Sequence, residues 1–373
     1  TSGNARSQSR ISDHEILSAL KRRGKVQIYE TNFKQFTTGK SSKDDLKERI
    51  FLCKVDVASK TNKKIVASKN NPVQSGFIKS PLNYTGGKHK LLPQLTKLFP
   101  KDVKTFYDVF SGGANVGINA TAKNIICIEK NRYVVSLLKL IQNDNFEDLN
   151  QKLINIIDDF GLSQSYIKGY DHYGVGSSSG LGQYNKEAFL KLRSVFNKEK
   201  TGIDLLLVLI LYSFNNQIRF NSNGDFNLPV GKRDYNGSSR KNVAAFNQIS
   251  NEKKIAFKSC DFRDVERMAL SKNDFVYLDP PYLLGLAGYN EMGGWTKQDE
   301  RDLYSLLTRL DKKGIRFALS NVLEHKGETN EIMKEWVKKY KYKVHKLKYN
   351  YKNSNYHSMA KNNITVEVLI TNY

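Results

Sequence analysis

The sequence has few of the features that would place a protein in a membrane, outside a cell or around a structural metal. It contains only three cysteines, Cys53, Cys127 and Cys260, and they show no paired spacing. That spacing excludes a zinc ribbon and a disulfide framework, and it favours a reducing cytoplasm. The longest apolar run, Leu205 to Leu211, is far shorter than the roughly 20 residues of a membrane-spanning helix. No signal peptide is expected, because Thr1 to Arg10 is polar and lacks an apolar core.

Acidic residues are also scarce relative to basic ones. The chain has 60 Lys and Arg against 37 Asp and Glu, which gives a net charge of +23 and a pI near 9.6. An excess of that size predicts a polyanionic partner, bound by a salt-sensitive and sequence-independent attraction. The alternative is a basic surface that binds nothing. With 373 residues, the chain is long enough for two domains or for one large α/β domain with insertions.

The strongest chemical signal is a strand-like stretch that ends in an acid and two prolines. Asp274 to Leu278 is rich in β-branched and aromatic side chains. Because Pro280 and Pro281 stop the strand, Asp279 lies at the carboxyl edge where open parallel sheets bind ligands. Asp279 and the Pro280 carbonyl then offer two acceptors to an exocyclic amino group, and Tyr282 can stack on the attached base. The alternative is a strand stop in which Asp279 caps a turn and Tyr282 is core.

A second strand-like stretch leads into a glycine-rich turn. Thr105 to Phe110 runs into the segment Ser111 to Gly117, and a helix is predicted from Ile118, as in the first unit of a nucleotide-binding α/β fold. Ile125 to Ile128 predicts the next strand and ends in Glu129, where an acid can accept both hydroxyls of a ribose. The alternative is an ordinary tight turn with a surface glutamate.

Two shorter patterns point to the same kind of ligand. Gly86 and Gly87 precede Lys88 and a leucine pattern of helical spacing, which predicts a weak site for an anion or a carboxylate. Ile255 to Ser259 predicts another strand, followed closely by Asp261. An acid there can contact the adenine of a nucleoside ligand, or it can simply lie in solvent.

A polar hairpin is the candidate for nucleic-acid recognition. Asp204 to Tyr212 predicts a buried helix, and Ser213 to Lys232 alternates amides, one arginine and aromatics around an Asn-Gly turn. Asn and Gln side chains match adenine edges, Arg219 matches guanine, and the aromatics can wedge between bases or stack on them. The alternative is a polar surface hairpin without a ligand.

Three peripheral segments complete the pattern. Residues 11–57 predict a small module of one helix from Ser12 and two strands, Val26 to Tyr29 and Ile50 to Val57. The module is either a DNA-binding accessory unit or a structural appendage. Leu283 to Trp295, with four glycines, predicts a flexible lid. A basic, amide-rich loop before the last strand is suited to phosphates.

Residues 77–373 resemble the Dam-like adenine-N6 DNA methyltransferases, including those of restriction–modification systems. The order of motifs carries the resemblance and is the order called class alpha. It runs from Tyr84-Thr85-Gly86-Gly87-Lys88, through the turn at 110–117 and an inserted recognition segment, to Asp279-Pro280-Pro281-Tyr282. Phe110-Ser111-Gly112-Gly113 departs from the commoner Phe-Xaa-Gly-Xaa-Gly pattern, and Asn216 replaces a small residue, so no target sequence is implied.

The resemblance implies an α/β fold: an S-adenosylmethionine-dependent methyltransferase (Rossmann-like) mixed sheet with an inserted helical and hairpin DNA-recognition domain and a small N-terminal module. The expected boundaries are 1–76 for the accessory module and linker, 77–142 for the donor-binding part, 143–250 for the recognition insertion and 251–373 for the catalytic part. No metal is required.

The predicted site residues fall into three groups. The catalytic residues are Asp279, Pro280, Pro281 and Tyr282. The residues predicted to bind S-adenosylmethionine are Tyr84, Gly86, Gly87, Lys88, Asp108, Phe110, Ser111, Gly112, Gly113, Glu129, Lys130, Asp261, Phe262 and Asp279. The residues predicted to contact DNA are Asn215, Asn216, Gln217, Arg219, Asn221, Asn227, Pro229, Lys232, Arg233, Lys352, Asn355, His357 and Lys361.

The activity expected from the resemblance is methyl transfer from S-adenosylmethionine to N6 of a flipped-out adenine in duplex DNA, which protects host DNA in a restriction–modification system. The expected partner is double-stranded DNA, a cognate restriction endonuclease is a further partner that the resemblance allows, and a monomer is favoured. Four alternatives remain open at this point. They are a cytosine-N4 methyltransferase, an RNA adenine methyltransferase, a protein glutamine methyltransferase, and a non-catalytic DNA-binding protein on a methylase fold.

Overall fold

The computed structural model describes residues 25–33, 46–54, 76–84, 86–176, 179–284, 294–348 and 365–373. The chain divides into two compact units, residues 1–74 and residues 75–373. In the first unit, β1 (Lys25–Phe33) and β2 (Leu46–Lys54) form an antiparallel pair. The two predicted strands of this module are therefore confirmed, and the helix predicted from Ser12 lies outside the described residues.

The second unit is organised around an eight-stranded mixed sheet. Its strands are β3 (Thr105–Val109), β4 (Asn124–Glu129), β5 (Ala256–Ser259), β6 (Phe275–Leu278), β7 (Arg316–His325), β8 (Glu328–Thr329), β9 (Lys343–Lys346) and β10 (Thr365–Thr371). The strand order is β5-β4-β3-β6-β7-β10-β9, with β8 paired to β7. Strands β3 to β7 are parallel, and β10 is antiparallel to both β7 and β9. The predicted mixed α/β sheet is confirmed.

Nine helices accompany the sheet in the described part of the chain. They are α1 (Leu92–Leu98), α2 (Arg132–Asn143), α3 (Phe146–Phe160), α4 (Ser165–Lys168), α5 (Gly182–Glu199), α6 (Ile203–Tyr212), α7 (Gly237–Glu252), α8 (Lys297–Lys312) and α9 (Glu331–Tyr340). A capping box opens α8, with reciprocal hydrogen bonds between Thr296 and Asp299. In the described ranges, none of the helices has the length and apolarity needed to cross a membrane.

Both faces of the sheet are covered, as expected for a parallel sheet between helices. On β6, Phe275 and Tyr277 belong to one hydrophobic cluster, and Val276 and Leu278 belong to another. The first cluster continues into the segment between β4 and β5, where the α6 side chains from Leu206 to Tyr212 are all buried. The helices of that segment and one face of the sheet therefore share a continuous core.

One predicted helix is wrong. The chain after the glycine-rich turn forms only a short 3-10 turn, Gly117–Asn119, and β4 begins as early as Asn124. The side chain of Asn119 donates to the carbonyls of Ile78 and Asn115, at 2.8 Å each, and this holds the turn in place. The few residues before β4 leave no room for a helix of several turns.

The topology fixes where a ligand crevice can form. Strand β3 pairs with β4 on one side and with β6 on the other. In open α/β sheets such a reversal of strand order opens a crevice outside the carboxyl ends of the strands. The residues that follow β3, β4 and β6 therefore border one crevice.

Candidate active site

Three predicted site residues lie at that edge of the sheet. Phe110 follows β3, Glu129 is the last residue of β4, and Asp279 follows β6. The backbone N–H of Asp279 still donates to the carbonyl of Val109 at 3.3 Å, so the ends of β3 and β6 stay side by side. The prolines then turn the chain away, with Pro280 buried.

A cation and a hydroxyl hold the Asp279 carboxylate. Lys88 Nζ lies 2.8 Å from one carboxylate oxygen, and the Tyr282 hydroxyl donates to the other at 3.1 Å. The side chain of Asp279 is 16% exposed, whereas that of Lys88 is only 5% exposed. Lys88 Nζ also donates to the carbonyl of Gly86 at 2.8 Å, so the backbone at the glycine pair lies against the ammonium of Lys88. The site thus contains a largely buried ion pair, and the carbonyl of the next residue, Pro280, accepts no hydrogen bond from the described residues.

Burial and the neighbouring charges shift the pKa values of both Asp279 and Tyr282. Burial raises the pKa of Asp279 above its usual range, and the Lys88 ammonium and the Tyr282 hydroxyl oppose that shift. Burial, reinforced by Asp279 and Glu367, raises the pKa of Tyr282 well above that of a free phenol. Tyr282 therefore stays protonated and acts as a donor.

Sequence reasoning missed a second carboxylate in this cluster, Glu367 on β10. Its side chain is 4% exposed, and its Oε1 lies 3.7 Å from Lys88 Nζ and 3.1 Å from the Tyr282 hydroxyl. The signal that could have revealed it is an acid inside the apolar run from Val366 to Ile370, because a carboxylate in a buried strand needs partners.

The backbone of the glycine-rich turn holds Glu129. One carboxylate oxygen accepts the N–H of Gly112 at 3.0 Å, and the other accepts the N–H of Asn131 at 2.9 Å. Burial raises the pKa of Glu129, and these two hydrogen bonds oppose the shift. Each carboxylate oxygen has a second lone pair, so Glu129 can still accept hydroxyl groups of a ligand.

The turn needs glycine for two distinct reasons. Gly112 has a φ of +48°, and an added Cβ there would lie 2.7 Å from Cδ1 of Tyr84. At Gly113 an added Cβ would lie 2.8 Å from the carbonyl oxygen of Leu82. The segment that carries Tyr84 therefore packs directly on the turn, which joins two motifs that are separate in the sequence.

Asp108 braces the same turn from below. It is buried, and its carboxylate accepts the N–H of Gly117 at 2.8 Å. Burial raises the pKa of Asp108 to about 8, and the nearby charges of Asp279 and Glu129 add to the increase while the Gly117 hydrogen bond opposes it. Its contact with the protein is thus a support for the backbone of the turn.

Three aromatic rings line the next part of the crevice. The ring centroids of Phe110 and Phe262 are 5.2 Å apart, and each lies 5.6 Å from Trp295. Trp295, which sequence reasoning had treated only as the end of a lid, donates through Nε1 to Glu300 at 2.5 Å. The rings form an apolar cluster next to the acids.

The polar rim of this cluster is an exposed ion pair. Asp261 lies 3.0 Å from the ammonium of Lys130, whose side chain is largely exposed, and it accepts the backbone N–H of Arg263 at 3.1 Å. Closer to the turn, the hydroxyl of Ser111 is buried and has no hydrogen-bond partner among the described residues. An unpaired hydroxyl, a carboxylate with free lone pairs and an aromatic cluster fit a nucleoside that carries a polar tail.

The predicted hairpin is present, but its aromatics do not have the predicted role. Isolated bridges join Ser213 to Val230 and Phe220 to Phe226. The expectation that these aromatics stack on bases is wrong for Phe220 and Phe226, which are buried. The ring of Phe220 stacks on Tyr133 of α2 at 4.6 Å, because the hairpin must cover the apolar surface beneath it. Phe214, at the start of the hairpin, is 51% exposed.

Several amides of the hairpin are engaged within the protein. Asn216 donates to the carbonyl of Leu211 at 2.6 Å and so completes the end of α6. Arg219 donates to the side chain of Asn227 across the hairpin at 2.8 Å, and Asn221 accepts backbone N–H groups within the turn. The predicted DNA-contacting residues with exposed side chains are Asn215, Asn221, Pro229, Lys232 and Arg233, and that of Gln217 is half-buried.

The hairpin is tied to the crevice by one hydrogen bond. Asn83 Nδ2 donates to the carbonyl of Asn215 at 2.7 Å, and Asn83 directly precedes Tyr84. The basic loop that contains Lys352, Asn355, His357 and Lys361, and residues 285–293 of the predicted lid, lie outside the described residues.

Comparison with known proteins places this geometry in a family. The model of the D12 class N6 adenine-specific DNA methyltransferases matches residues 84–353. The chain is 38% identical to the type II methyltransferase M.FokI of Planomicrobium okeanokoites, over 98% of this chain and 55% of that protein. It is 36% identical to the modification methylase StsI of Streptococcus sanguinis, over 97% of this chain and 54% of that protein.

A third relative gives a shorter match. The modification methylase LlaI of Lactococcus lactis subsp. lactis is 33% identical over 72% of this chain and 41% of its own length. The chain thus spans about half the length of the curated relatives it matches. The matched family model runs from Tyr84 through Glu129 to Asp279 and beyond, across most of the crevice. This chain therefore belongs to the D12 class of N6 adenine-specific DNA methyltransferases.

Proposed function

We propose that this chain transfers a methyl group from S-adenosylmethionine to N6 of an adenine in duplex DNA. The observation that carries the proposal is the pair of acceptors at the end of β6. The Asp279 carboxylate is held by Lys88 and Tyr282, and the carbonyl of the next residue, Pro280, accepts no hydrogen bond among the described residues. An exocyclic amino group has two N–H donors, one for each acceptor.

The two acceptors explain how a poor nucleophile can react. The lone pair of the adenine amino group is delocalised into the ring, and hydrogen bonds to Asp279 and to the Pro280 carbonyl draw the nitrogen toward tetrahedral geometry. An ionised Asp279 offers acceptors on both oxygens and is the stronger acceptor, and Lys88 favours that state against the cost of burial. The extra proton on the methylated nitrogen is acidic, so Asp279 need not be a strong base. Reaching this crevice requires the adenine to leave the duplex stack.

The other end of the crevice would hold the donor. S-adenosylmethionine supplies the methyl group on a cationic sulfonium. The free lone pairs of Glu129 would accept the ribose hydroxyls, and the aromatic cluster of Phe110, Phe262 and Trp295 would contact the adenine and exclude water. The Ser111 hydroxyl would find its missing partner on the polar tail of the donor.

The insertion at residues 143–250 would read DNA. Its hairpin presents Asn215, Lys232 and Arg233 to solvent, and its link from Asn83 to Asn215 keeps this surface in register with the crevice. The net charge of +23 supports a polyanionic substrate. On this proposal, residues 77–142 carry the donor site and residues 251–373 carry the catalytic residues, with residues 1–76 as an accessory module.

The biological setting follows from the relatives. Two of them are named modification methylases, which supports a restriction–modification system with a cognate endonuclease as the functional counterpart of this chain. DNA as the substrate would place the reaction in the cytoplasm of a bacterium. The described residues of a single copy already bring Lys88, Glu129 and Asp279 to one edge of the sheet, which supports a monomer.

Methyl transfer from labelled S-adenosylmethionine tests the proposal. The chain is incubated in parallel with unmethylated duplex DNA and with RNA, and the products are digested to nucleosides and separated. We expect label in N6-methyl-2′-deoxyadenosine and in no other nucleoside. Label in N4-methyl-2′-deoxycytidine or in RNA would overturn the assignment of the substrate, and no label anywhere would overturn the proposed activity.

A further inference from the structure

The buried carboxylate of Glu367 and the largely buried carboxylate of Asp279 share one cation and one hydroxyl. Lys88 Nζ lies 2.8 Å from Asp279 and 3.7 Å from Glu367. The Tyr282 hydroxyl lies 3.1 Å from each of the two carboxylates. A hydroxyl has one proton, so Tyr282 can donate to only one of them at a time. The two acids therefore compete for the same partners.

The backbone of β10 is shaped to bring Glu367 into this cluster. The register between β10 and β7 shifts between Val366, opposite Glu324, and Glu367, opposite Val322. Such an irregularity re-aims a side chain and is common beside active sites. Glu367 shares its face of the strand with the fully buried Leu369, so the strand places a charged group beside an apolar neighbour. Burying a carboxylate is costly unless its partners compensate for it.

In this structure each oxygen of Asp279 accepts from one partner, Lys88 on one oxygen and the Tyr282 hydroxyl on the other. A substrate amino group must share the carboxylate with both partners through the second lone pairs, and so weakens the hold of Asp279 on Lys88. Lys88 would then depend on the Gly86 carbonyl at 2.8 Å and on Glu367, the other carboxylate, at 3.7 Å. An ammonium that is 5% exposed cannot be left without a counter-charge at low cost. A second carboxylate within reach removes that obstacle.

We propose that Glu367 is a positioning residue that takes over Lys88 and the Tyr282 hydroxyl when Asp279 accepts the substrate amino group. The inference rests on the proposed function, because it assumes that an amino group reaches Asp279. No covalent bond changes in this exchange; two hydrogen bonds pass from one carboxylate to the other. The ammonium and the hydroxyl stay paired throughout, and Asp279 becomes free for the substrate.

The first test needs no activity. Thermal unfolding is compared for the full chain, Asp279→Asn, Glu367→Gln and the double variant. Either single variant leaves Lys88 one carboxylate, whereas the double variant leaves none, so the midpoint should fall by more than the sum of the two single changes. Additive changes would overturn the proposal, because they would mean that Lys88 does not pass between the two acids.

The second test follows the reaction in a single turnover on duplex DNA at saturating donor. Glu367→Gln should slow methyl transfer by about 10-fold or more, with the affinity for S-adenosylhomocysteine unchanged, since a hydrogen bond to a charged group is lost. In a Lys88→Met background, Glu367→Gln should reduce the rate of methyl transfer by a clearly smaller factor, because the ammonium with which Glu367 would pair is gone. The proposal would be overturned if Glu367→Gln slowed methyl transfer by the same factor in the wild-type and Lys88→Met chains, or if it did not slow the reaction at all.

Glu324→Gln is the matched control. Glu324 is an exposed acid opposite the same register shift, and its amide variant should match the wild type in both tests. The two tests also separate this inference from the proposed function. A wild-type chain that transfers no methyl group would overturn the proposed function, whereas the unfolding cycle would still decide whether Glu367 receives Lys88.

Discussion

The two ends of the crevice hold their buried carboxylates by different means. At the β6 end, Asp279 is held by side chains, the Lys88 ammonium and the Tyr282 hydroxyl. At the β3 and β4 end, Glu129 and Asp108 are held by backbone N–H groups of the turn and its flanks. Among the described residues, no cation pairs with either of these two acids. Side-chain partners can exchange when a substrate arrives, whereas backbone donors stay where the fold puts them.

This difference suggests a division of labour. The mobile partners suit the end where an amino group must enter and leave, and the fixed partners suit the end where a nucleoside must be held in one orientation. We therefore expect changes at Asp279 to affect mainly the rate of methyl transfer, and changes at Glu129 to affect mainly the affinity for the donor.

The largest effect is expected at the end with exchangeable partners. Asp279→Ala removes one of the two acceptors and leaves the Lys88 ammonium without its nearest counter-charge. Single-turnover methyl transfer should fall by about 10³-fold or more, since an acceptor aligned with the reacting group is lost. Calorimetry with S-adenosylhomocysteine should show donor affinity within about threefold of wild type. An equal loss of methyl-transfer rate and of affinity for S-adenosylhomocysteine would point to a structural role for Asp279.

The next effect belongs to the fixed end. Glu129→Gln leaves only one acceptor oxygen for the ribose and disturbs the pair of hydrogen bonds from Gly112 and Asn131. The dissociation constant for S-adenosylhomocysteine should rise by about 10- to 100-fold, the value of a hydrogen bond to a charged group. The rate at saturating donor should change little. A large loss of rate at saturation with unchanged affinity would contradict the division.

A third comparison sets Gly112 of the glycine-rich turn against Gly161, which ends α3; both have a positive φ. Gly112 has a φ of +48° and lies against Tyr84, whereas Gly161 has a φ of +71° and nothing within 4 Å of an added Cβ. Gly161→Ala should cost about 1 kcal/mol of unfolding free energy from backbone strain alone. Gly112→Ala should cost more and should also weaken donor binding, because the added methyl group must displace the Tyr84 ring. Equal costs in thermal unfolding would show that Tyr84 does not pack on the turn.

A pH dependence of stability is expected at Asp108. Its pKa is raised from 3.8 to about 8 in the folded protein, so between those values the folded state keeps a proton that the unfolded state has lost. The stability gained from that proton is full below the unfolded pKa and is lost as the pH rises through the folded pKa. Asp108→Asn copies the neutral form and should therefore be more stable than the wild type, by a margin that grows from about pH 5 to about pH 8. If the difference in unfolding free energy between Asp108→Asn and the wild type did not vary with pH, the pKa of Asp108 would not be raised in the folded protein.

Much of the crevice could be predicted because its signals are local. A strand that ends in an acid and two prolines fixes the position of Asp279 at the edge of the sheet. Strand β4 likewise ends in an acid, Glu129. The sheet order then brings the two ends together, since parallel strands share one carboxyl edge.

The failures are those that depend on partners distant in the sequence. The pattern at Ile118 suited a helix, but the early start of β4 overrode it. The composition of the hairpin could not show that Phe220 faces Tyr133 rather than solvent, because that contact joins separate segments. The same holds for Lys88 and Glu367, whose pairing exists only once β10 has joined the sheet.

The most direct test of the central division is one experiment on two variants. Single-turnover adenine methylation is followed for Asp279→Ala and Glu129→Gln while the concentration of S-adenosylmethionine is raised to saturation. The division predicts that Glu129→Gln regains a rate near that of the wild type, and that Asp279→Ala stays inactive at every concentration. Recovery of Asp279→Ala at high donor, or a Glu129→Gln variant that saturates at a very low rate, would contradict it.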